Sequence, residues 1–110
     1  MSEQLRRGER ERLPNRRGSI VFDFQHDGRK YQGSISPRSD GAVGEIFIND
    51  AIKPDSQLGV IANDAAVAAS HVLQLGGSLE DLRADLKRRP DGTAQGVLGA
   101  ALDYVAQWGL

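Results

Sequence analysis

Cysteine is absent from this 110-residue sequence. Its absence excludes disulfide bonds, thiolate catalysis and cysteine-ligated zinc or iron–sulfur sites. A chain without cysteine is typical of a reducing compartment, and the N-terminus has no apolar stretch of the kind found in signal peptides. No apolar run approaches the ~18–20 residues that a membrane-spanning helix needs. We therefore expect a cytoplasmic protein with no membrane partner.

Aromatic residues and net charge are scarce as well. Aromatic residues make up 5% of the chain, so aliphatic and alanine side chains are expected to form most of the core. A formal net charge of −1 gives no overall field that would attract nucleic acid or an anionic membrane. Of the two histidines, His26 and His71, only His26 lies beside carboxylates, at Asp23 and Asp27. Because a metal site needs three or four convergent ligands, we predict no metal and no cofactor, with a weak site at His26 as the lesser alternative.

Charge is distributed unevenly along the chain. Residues 1–18 carry six arginines against three glutamates and have no apolar period, which predicts a disordered or marginally helical arm before one domain over residues 19–110. The arm can be a solvated tail, or an extension in which Arg16 and Arg17 bind a phosphate at a neighbouring subunit. Nonspecific contact with nucleic acid is the least favoured role, because Glu9 and Glu11 interrupt the arginines and no aromatic residue is present to stack on a base.

The sequence after the arm has the pattern of an antiparallel sheet. Residues 20–24 are mostly β-branched or aromatic, and they precede Asp27-Gly28, a pair typical of a tight hairpin turn. Residues 30–36 predict the returning strand, and residues 44–49 a third strand after a polar turn. Sequential strands joined by short turns predict an antiparallel meander.

Three helices are predicted after the strands. Residues 58–75 have apolar side chains at spacings of three and four, at Leu58, Ile61, Ala65, Ala68, Val72 and Leu75. The many alanines in this segment favour a helix packed closely on the sheet. Ser78 is a good N-cap for a second helix that ends before Pro90, and Thr93 is expected to cap a third helix running to about Trp108. The predicted fold is α+β, a three-stranded antiparallel meander followed by three helices packed on one sheet face.

Four stretches carry a resemblance to a known family: Asp27-Gly28-Arg29-Lys30-Tyr31, residues 44–49, the alanine-rich residues 63–70, and Gly76-Gly77-Ser78-Leu79-Glu80-Asp81-Leu82. Their order and spacing resemble the TSCPD domain, which is found at the C-terminal end of cobalamin-dependent ribonucleotide reductases and in stand-alone bacterial and phage proteins. The family's Cys-Pro-Asp step is replaced here by Arg89-Pro90-Asp91, so any role of that cysteine is absent. The resemblance implies an accessory or regulatory module linked to nucleotide metabolism, and it carries over no catalytic residue.

Two regions are candidates for ligand binding. Glycines around Thr93 and Gly96 open a predicted helix, where free N–H groups and the helix dipole can hold a phosphate, and Arg88 and Arg89 just upstream add positive charge. The alternative is a flexible turn whose glycines permit close packing. The second region is the junction between the third strand and the first helix, where polar side chains can border the mouth of a pocket. Its residues are Asn49, Lys53, Asn63 and Asp64, and the alternative is a turn followed by an exposed helix face.

No grouping of a nucleophile, a base and an orienting residue is recognisable, and no serine lies in a Gly-x-Ser-x-Gly turn. Trp108 can close the core or be buried between subunits, and we expect a homodimer. We predict a non-catalytic binding or regulatory module that captures a nucleotide or nucleotide-like phosphate. The alternative is a protein-interaction accessory of a ribonucleotide-reductase-like enzyme, with an unrecognised enzyme as the least favoured option.

Overall fold

The computed structural model describes residues 18–108, so the predicted arm at residues 1–17, with Arg16 and Arg17, lies outside the described residues. Three strands are followed by three helices. The elements are β1 (Ile20–His26), β2 (Arg29–Pro37), β3 (Val43–Asp50), α1 (Gln57–Gln74), α2 (Leu79–Asp85) and α3 (Val97–Ala106). The predicted α+β class, element order and antiparallel meander are confirmed.

The sheet has the order β1-β2-β3, and both neighbouring pairs are antiparallel. Asp27 and Gly28 both have positive φ angles, of 52° and 78°, as a two-residue hairpin turn with the twist of the sheet requires. In the resulting register Phe22 lies opposite Gly33, and Gly33 lies opposite Ile48. The inward side chains of all three strands therefore face the helices.

Helix α1 packs mainly on β3. Its buried positions include a run of small residues that ends in leucine, at Gly59, Ala62, Ala66, Ala69 and Leu73. A Cβ atom on Gly59 would lie 2.8 Å from the Cβ of Asp50, so glycine is required for this close approach. The apolar residues whose spacing predicted the helix lie one position away from the buried residues. Their large side chains are therefore about half exposed: Leu58 50%, Ile61 54%, Val72 43% and Leu75 47%. The helix was correctly predicted, but the face that packs on the sheet is the other one.

The buried core is mainly aliphatic and alanine, as predicted, and five of the six aromatic residues form one cluster that Phe47 does not join. Phe22 stacks on Tyr104 of α3 with a centroid distance of 5.3 Å and an interplanar angle of 9°. Phe24 stacks on Tyr31 at 5.5 Å, and Trp108 packs edge-on against Phe22 at 5.3 Å. Such pairs contribute about 0.5–1.5 kcal/mol each beyond their area burial. The cluster joins α3 to β1, and Trp108 closes it from outside.

The boundaries of α2 and α3 differ from the predicted ones. Leu86 is extended and ends α2, so the predicted final turn with Arg88 and Arg89 is not helical. The backbones of Arg88 and Ala94 form an isolated antiparallel bridge around the turn at Asp91, because the residue before Pro90 is biased away from helical geometry. Thr93 donates its hydroxyl to Asp91 at 2.6 Å and does not cap α3, whose N-cap is Gly96.

Two polar side chains fasten α1 in place. The Arg38 guanidinium donates to the carbonyl oxygens of Leu73 and Gly77, at 2.6 and 3.0 Å, and so completes the C-terminal end of the helix. The Ser70 hydroxyl accepts the N–H of Ile46 on the edge strand β3 at 2.8 Å. Among the helices in residues 18–108, none is long and apolar enough to cross a membrane.

Candidate functional site

A cleft of about 690 Å³ lies between α1, the β1–β2 turn and the start of α3, and we call it the α1–α3 cleft. This volume is within the range of about 300–1,000 Å³ that is usual for small-molecule sites. The walls are largely apolar, with Leu58, Ile61, Ala65, Leu86, Val97 and Leu98 contributing side chains. Its other lining residues include His26, Asp27, Arg29, Gln95 and Gly96, so one rim of an apolar cleft carries polar groups.

Arg29 is held at this rim by the carboxylate of Asp50. Its Nε and Nη2 atoms both lie 2.6 Å from Oδ2 of Asp50, which is fully buried, whereas the Arg29 side chain is 37% exposed. The Nε–Nη2 edge of the guanidinium thus forms an internal ion pair, while the rest of the side chain still reaches solvent. The pair holds the guanidinium beside the cleft, with its charge largely balanced by the Asp50 carboxylate.

Asp50 is the buried hydrogen-bond acceptor that organises the loop before α1. Its Oδ1 accepts the N–H groups of Lys53 and Ile52 at 3.0 and 2.9 Å. Its Oδ2 accepts the Ser56 hydroxyl at 2.8 Å, and Ser56 in turn caps α1. The Lys53 N–H has the largest effect in lowering the pKa of Asp50 far below its usual range, and together the donors outweigh burial, which raises it. The carboxylate is therefore charged at neutral pH.

Sequence reasoning missed Asp50, which entered only through the alternative of a turn at the junction between β3 and α1. A usable signal was present, since Asp50 has the same parity along β3 as the buried Ile46 and Ile48. The parity predicts an inward carboxylate, and Arg29 stands at the start of the neighbouring strand. Only the packed structure shows that the two side chains meet.

Gly96 was predicted as a ligand-binding residue, and it lies at the rim of the α1–α3 cleft. It is the N-cap of α3, and among residues 18–108 no side chain makes a capping hydrogen bond there. The first N–H groups of a helix have no partner within the helix, and they attract anions. His26 positions this segment, since its Nε2 donates to the carbonyl oxygen of Ala94 at 3.2 Å.

Arg89 and Thr93 line a neighbouring cleft of about 610 Å³. The Nη2 atom of Arg89 lies 2.7 and 2.8 Å from the two carboxylate oxygens of Asp27, a residue that borders both clefts. The hydrogen bond from Arg89 is the main cause of the lowered pKa of Asp27. Both groups of this pair are exposed at the surface between the clefts, so the pair is accessible to a competing anion.

Arg88, by contrast, is used within the fold. Its two terminal nitrogens contact both carboxylate oxygens of Asp103 on α3, at 2.7 and 2.8 Å, and Nη1 also donates to the carbonyl oxygen of Gly92. Arg83 donates to the same Asp103 carboxylate at 2.9 Å. These bonds lower the pKa of Asp103, with Arg88 as the largest cause. Arg88 therefore ties α2 and the following turn to α3.

The residues predicted at the strand-to-helix junction do not converge on one site. Asn49 and Asn63 border a small cleft of about 340 Å³ with Phe47, away from Gly96. Lys53 contributes its backbone N–H to Asp50, and Asp64 is exposed on α1. The predicted binding residues thus lie in separate places, and their ligand contacts stay predictions. Within residues 18–108, no group of three or more histidines and carboxylates could hold a metal ion.

No family model matches the chain, and no solved structure matches it. Among curated proteins, it is 36% identical over 105 residues to a vitamin B12-dependent ribonucleotide reductase from Agrobacterium fabrum, in an alignment that covers 88% of this chain. The chain spans only 8% of the length of that enzyme. It is therefore related to one short segment of a cobalamin-dependent ribonucleotide reductase.

Proposed function

We propose that this chain is a TSCPD-type binding module, without catalytic activity of its own, that takes a nucleotide or nucleotide-like phosphate into the α1–α3 cleft. The observation that carries the proposal is the pairing of an apolar cleft of nucleotide size with an uncapped helix N-terminus at its rim. The similarity to a segment of a ribonucleotide reductase supports a ligand of this class. A cytoplasmic location is part of the proposal.

The cleft provides different surroundings for the two ends of such a ligand. A base or sugar ring would lie against Leu58 and Ile61 on one wall and Leu86 and Leu98 on the other. The phosphate would lie at Gly96, where the helix dipole and the first N–H groups of α3 favour an anion. Apolar walls with a few well-placed polar groups are typical of small-molecule sites.

Arg29 at the rim, and Arg89 on the surface between the two clefts, would strengthen phosphate binding. Arg29 is anchored by Asp50, and a guanidinium held in place in this way needs no rearrangement to donate hydrogen bonds to a phosphate. Arg89 is paired with the exposed carboxylate of Asp27, and a phosphate with two negative charges can compete for this guanidinium. Binding would then separate Arg89 from Asp27.

Isothermal titration calorimetry with nucleoside mono-, di- and triphosphates and cyclic nucleotides tests the proposal. Gly96→Asp places a carboxylate at the N-cap, which caps the helix and repels an anion, so we expect ligand binding to fall at least about 10-fold while the fold is retained. Gly96→Ala is the matched control, because a Cβ at Gly96 meets no atom within 4 Å. No heat with any nucleotide at millimolar concentration, or equal binding by both variants, would contradict the proposal.

A second candidate is an accessory module that docks on a larger enzyme. The observation that favours it is the alignment, which places the similar sequence within a much longer reductase. The test is co-sedimentation of the purified chain with the vitamin B12-dependent ribonucleotide reductase of the same host. A stable complex would support docking, and its absence together with nucleotide binding would favour the first proposal.

A further inference from the structure

One face of α1 is apolar and exposed. The residues on this face are Leu58, Ile61, Ala65, Ala68, Val72 and Leu75, which we call the α1 stripe. Its four large side chains are about half exposed, and Ala68 is exposed as well. Spacings of three and four along a helix place such residues in one continuous row, as in the seam of a coiled coil. A row of this kind on a surface marks an interaction site.

The α1 stripe is symmetric about its own midpoint. Read from either end, it runs leucine, β-branched residue, alanine, alanine, β-branched residue, leucine. An interface with twofold symmetry uses the same patch on both copies, so each residue i that contacts j is matched by j contacting i. In an antiparallel pair, Leu58 meets Leu75 and Ile61 meets Val72. Ala65 meets Ala68 at the axis, where small side chains allow the helices to approach closely.

We propose that the occupant of the α1 stripe is a second copy of this chain, with the two α1 helices antiparallel about a twofold axis between Ala65 and Ala68. The row beside the stripe is compatible with this arrangement. Asp64 and His71 lie in it, and the antiparallel register brings Asp64 of each copy near His71 of the other. In a parallel arrangement Asp64 and His71 of the two copies would lie on opposite sides of the helix pair, and this contact would be lost.

Two other occupants fit the chemistry less well. An anionic membrane attracts helices with lysine or arginine beside the apolar face, and α1 contains neither. The chain's own residues 1–17 include nine charged residues, whereas their large apolar side chains are only Met1, Leu5 and Leu13. Such a segment has little apolar surface to bury against the stripe.

The pairing would also affect the α1–α3 cleft. Leu58, Ile61 and Ala65 line that cleft and belong to the stripe. In the antiparallel pair, Leu75, Val72 and Ala68 of the second copy lie against these residues and border the mouth of the cleft. The proposal does not depend on nucleotide binding, because the stripe and its symmetry are properties of the free chain.

The contact is expected to be of modest strength. An 18-residue helix is ~27 Å long and ~10 Å wide, so the helix pair covers ~270 Å² of footprint on each copy. Specific interfaces bury about 800 Å² of accessible surface per partner, so flanking residues would have to contribute as well. We therefore expect a dimer that dissociates on dilution.

Sedimentation velocity over a concentration series tests the oligomeric state. The wild-type chain should approach twice its mass of 11.9 kDa at high micromolar concentration. Ala68→Glu brings a charge to the axis and should weaken association at least about 10-fold, while circular dichroism shows unchanged helix content. Ala84→Glu is the matched control, since Ala84 is an exposed alanine on α2. A wild-type chain that stays monomeric, or a dimer unaffected by Ala68→Glu, would overturn the proposal.

Disulfide cross-linking tests the register of the two helices. Because the chain has no native cysteine, only the introduced cysteines can form a disulfide. The double variant Leu58→Cys/Leu75→Cys should form a cross-linked dimer under mild oxidation, because the two positions meet across the axis. Each single variant should not, since two copies of one position lie ~25 Å apart, well beyond disulfide reach. Efficient cross-linking of either single variant, or none by the double variant, would exclude the antiparallel pair. Calorimetry with nucleotides is independent of both readouts and separates failure of this inference from failure of the proposed function.

Discussion

The hydrogen bonds of Ser70 provide a sensitive test of how α1 is joined to the sheet. Ser70 is buried on α1, and its hydroxyl accepts the N–H of Ile46 at 2.8 Å. The same hydroxyl can donate to the carbonyl oxygen of Ile46 or of Ala66, both at 2.9 Å. Ile46 lies on an edge strand and is fully buried, so water does not reach its backbone. The Ser70 hydroxyl thus provides Ile46 with the backbone hydrogen bonds that a further strand beside β3 would otherwise make.

Ser70→Ala should destabilise the protein. A buried N–H left without a partner costs about 1–3 kcal/mol. The better helix propensity of alanine offsets at most ~0.7 kcal/mol of this cost. The free energy of unfolding should therefore fall by about 1–2 kcal/mol. For a domain of this size, that loss lowers the unfolding midpoint temperature by about 5–10 °C.

Calorimetric and urea unfolding measure the loss, and hydrogen exchange locates it. The amide of Ile46 should exchange faster in the variant, beyond any general effect of lower stability. Ala84→Ser is the control, because it makes the reverse exchange at an exposed helical position outside the α1 stripe and should change stability by less than about 0.5 kcal/mol. A Ser70→Ala variant as stable as the control, or with an unchanged Ile46 amide, would refute the reasoning.

Two further predictions concern the sheet and the buried carboxylate. Gly33→Ala should cost about 1–3 kcal/mol and weaken the aromatic near-ultraviolet circular dichroism, because its Cβ would lie 2.5 Å from Cζ of Phe22. Gly96→Ala meets no atom but replaces a favoured N-cap residue, so it should cost less than about 1 kcal/mol. The pKa of Asp50 is lower in the folded state than in the unfolded state. The stability that the Asp50 carboxylate contributes should therefore be present above about pH 4 and be lost as the pH falls further. Thermal melts from pH 7 to pH 2 should show a smaller acid loss in Asp50→Asn, and an identical profile would contradict this role.

The order of elements in this protein is determined by local sequence patterns. Alternating side chains and the Asp27-Gly28 turn were sufficient to predict the first hairpin, because strand parity and positive φ angles depend on adjacent residues. The helical spacing in α1 and the cap at Ser78 were equally local signals, and both are present in the structure. The cap predicted at Thr93 was wrong, since its hydroxyl bonds to Asp91 while α3 begins after Gly96.

Tertiary structure decided the rotation of α1 and the composition of the candidate site. The α1 stripe and the buried row that includes Gly59 lie one residue apart, and both have the helical period. The close contact of Gly59 with Asp50 determines which of the two rows packs on the sheet. Gly96 could be singled out from the sequence, because a glycine-rich helix start is a local feature. The ion pair between Asp50 and Arg29 joins residues 21 positions apart. Arg88 and Arg89 are neighbours in sequence, yet Arg88 binds Asp103 while Arg89 binds Asp27. Such pairings depend on distances in the packed fold, and sequence spacing does not contain them.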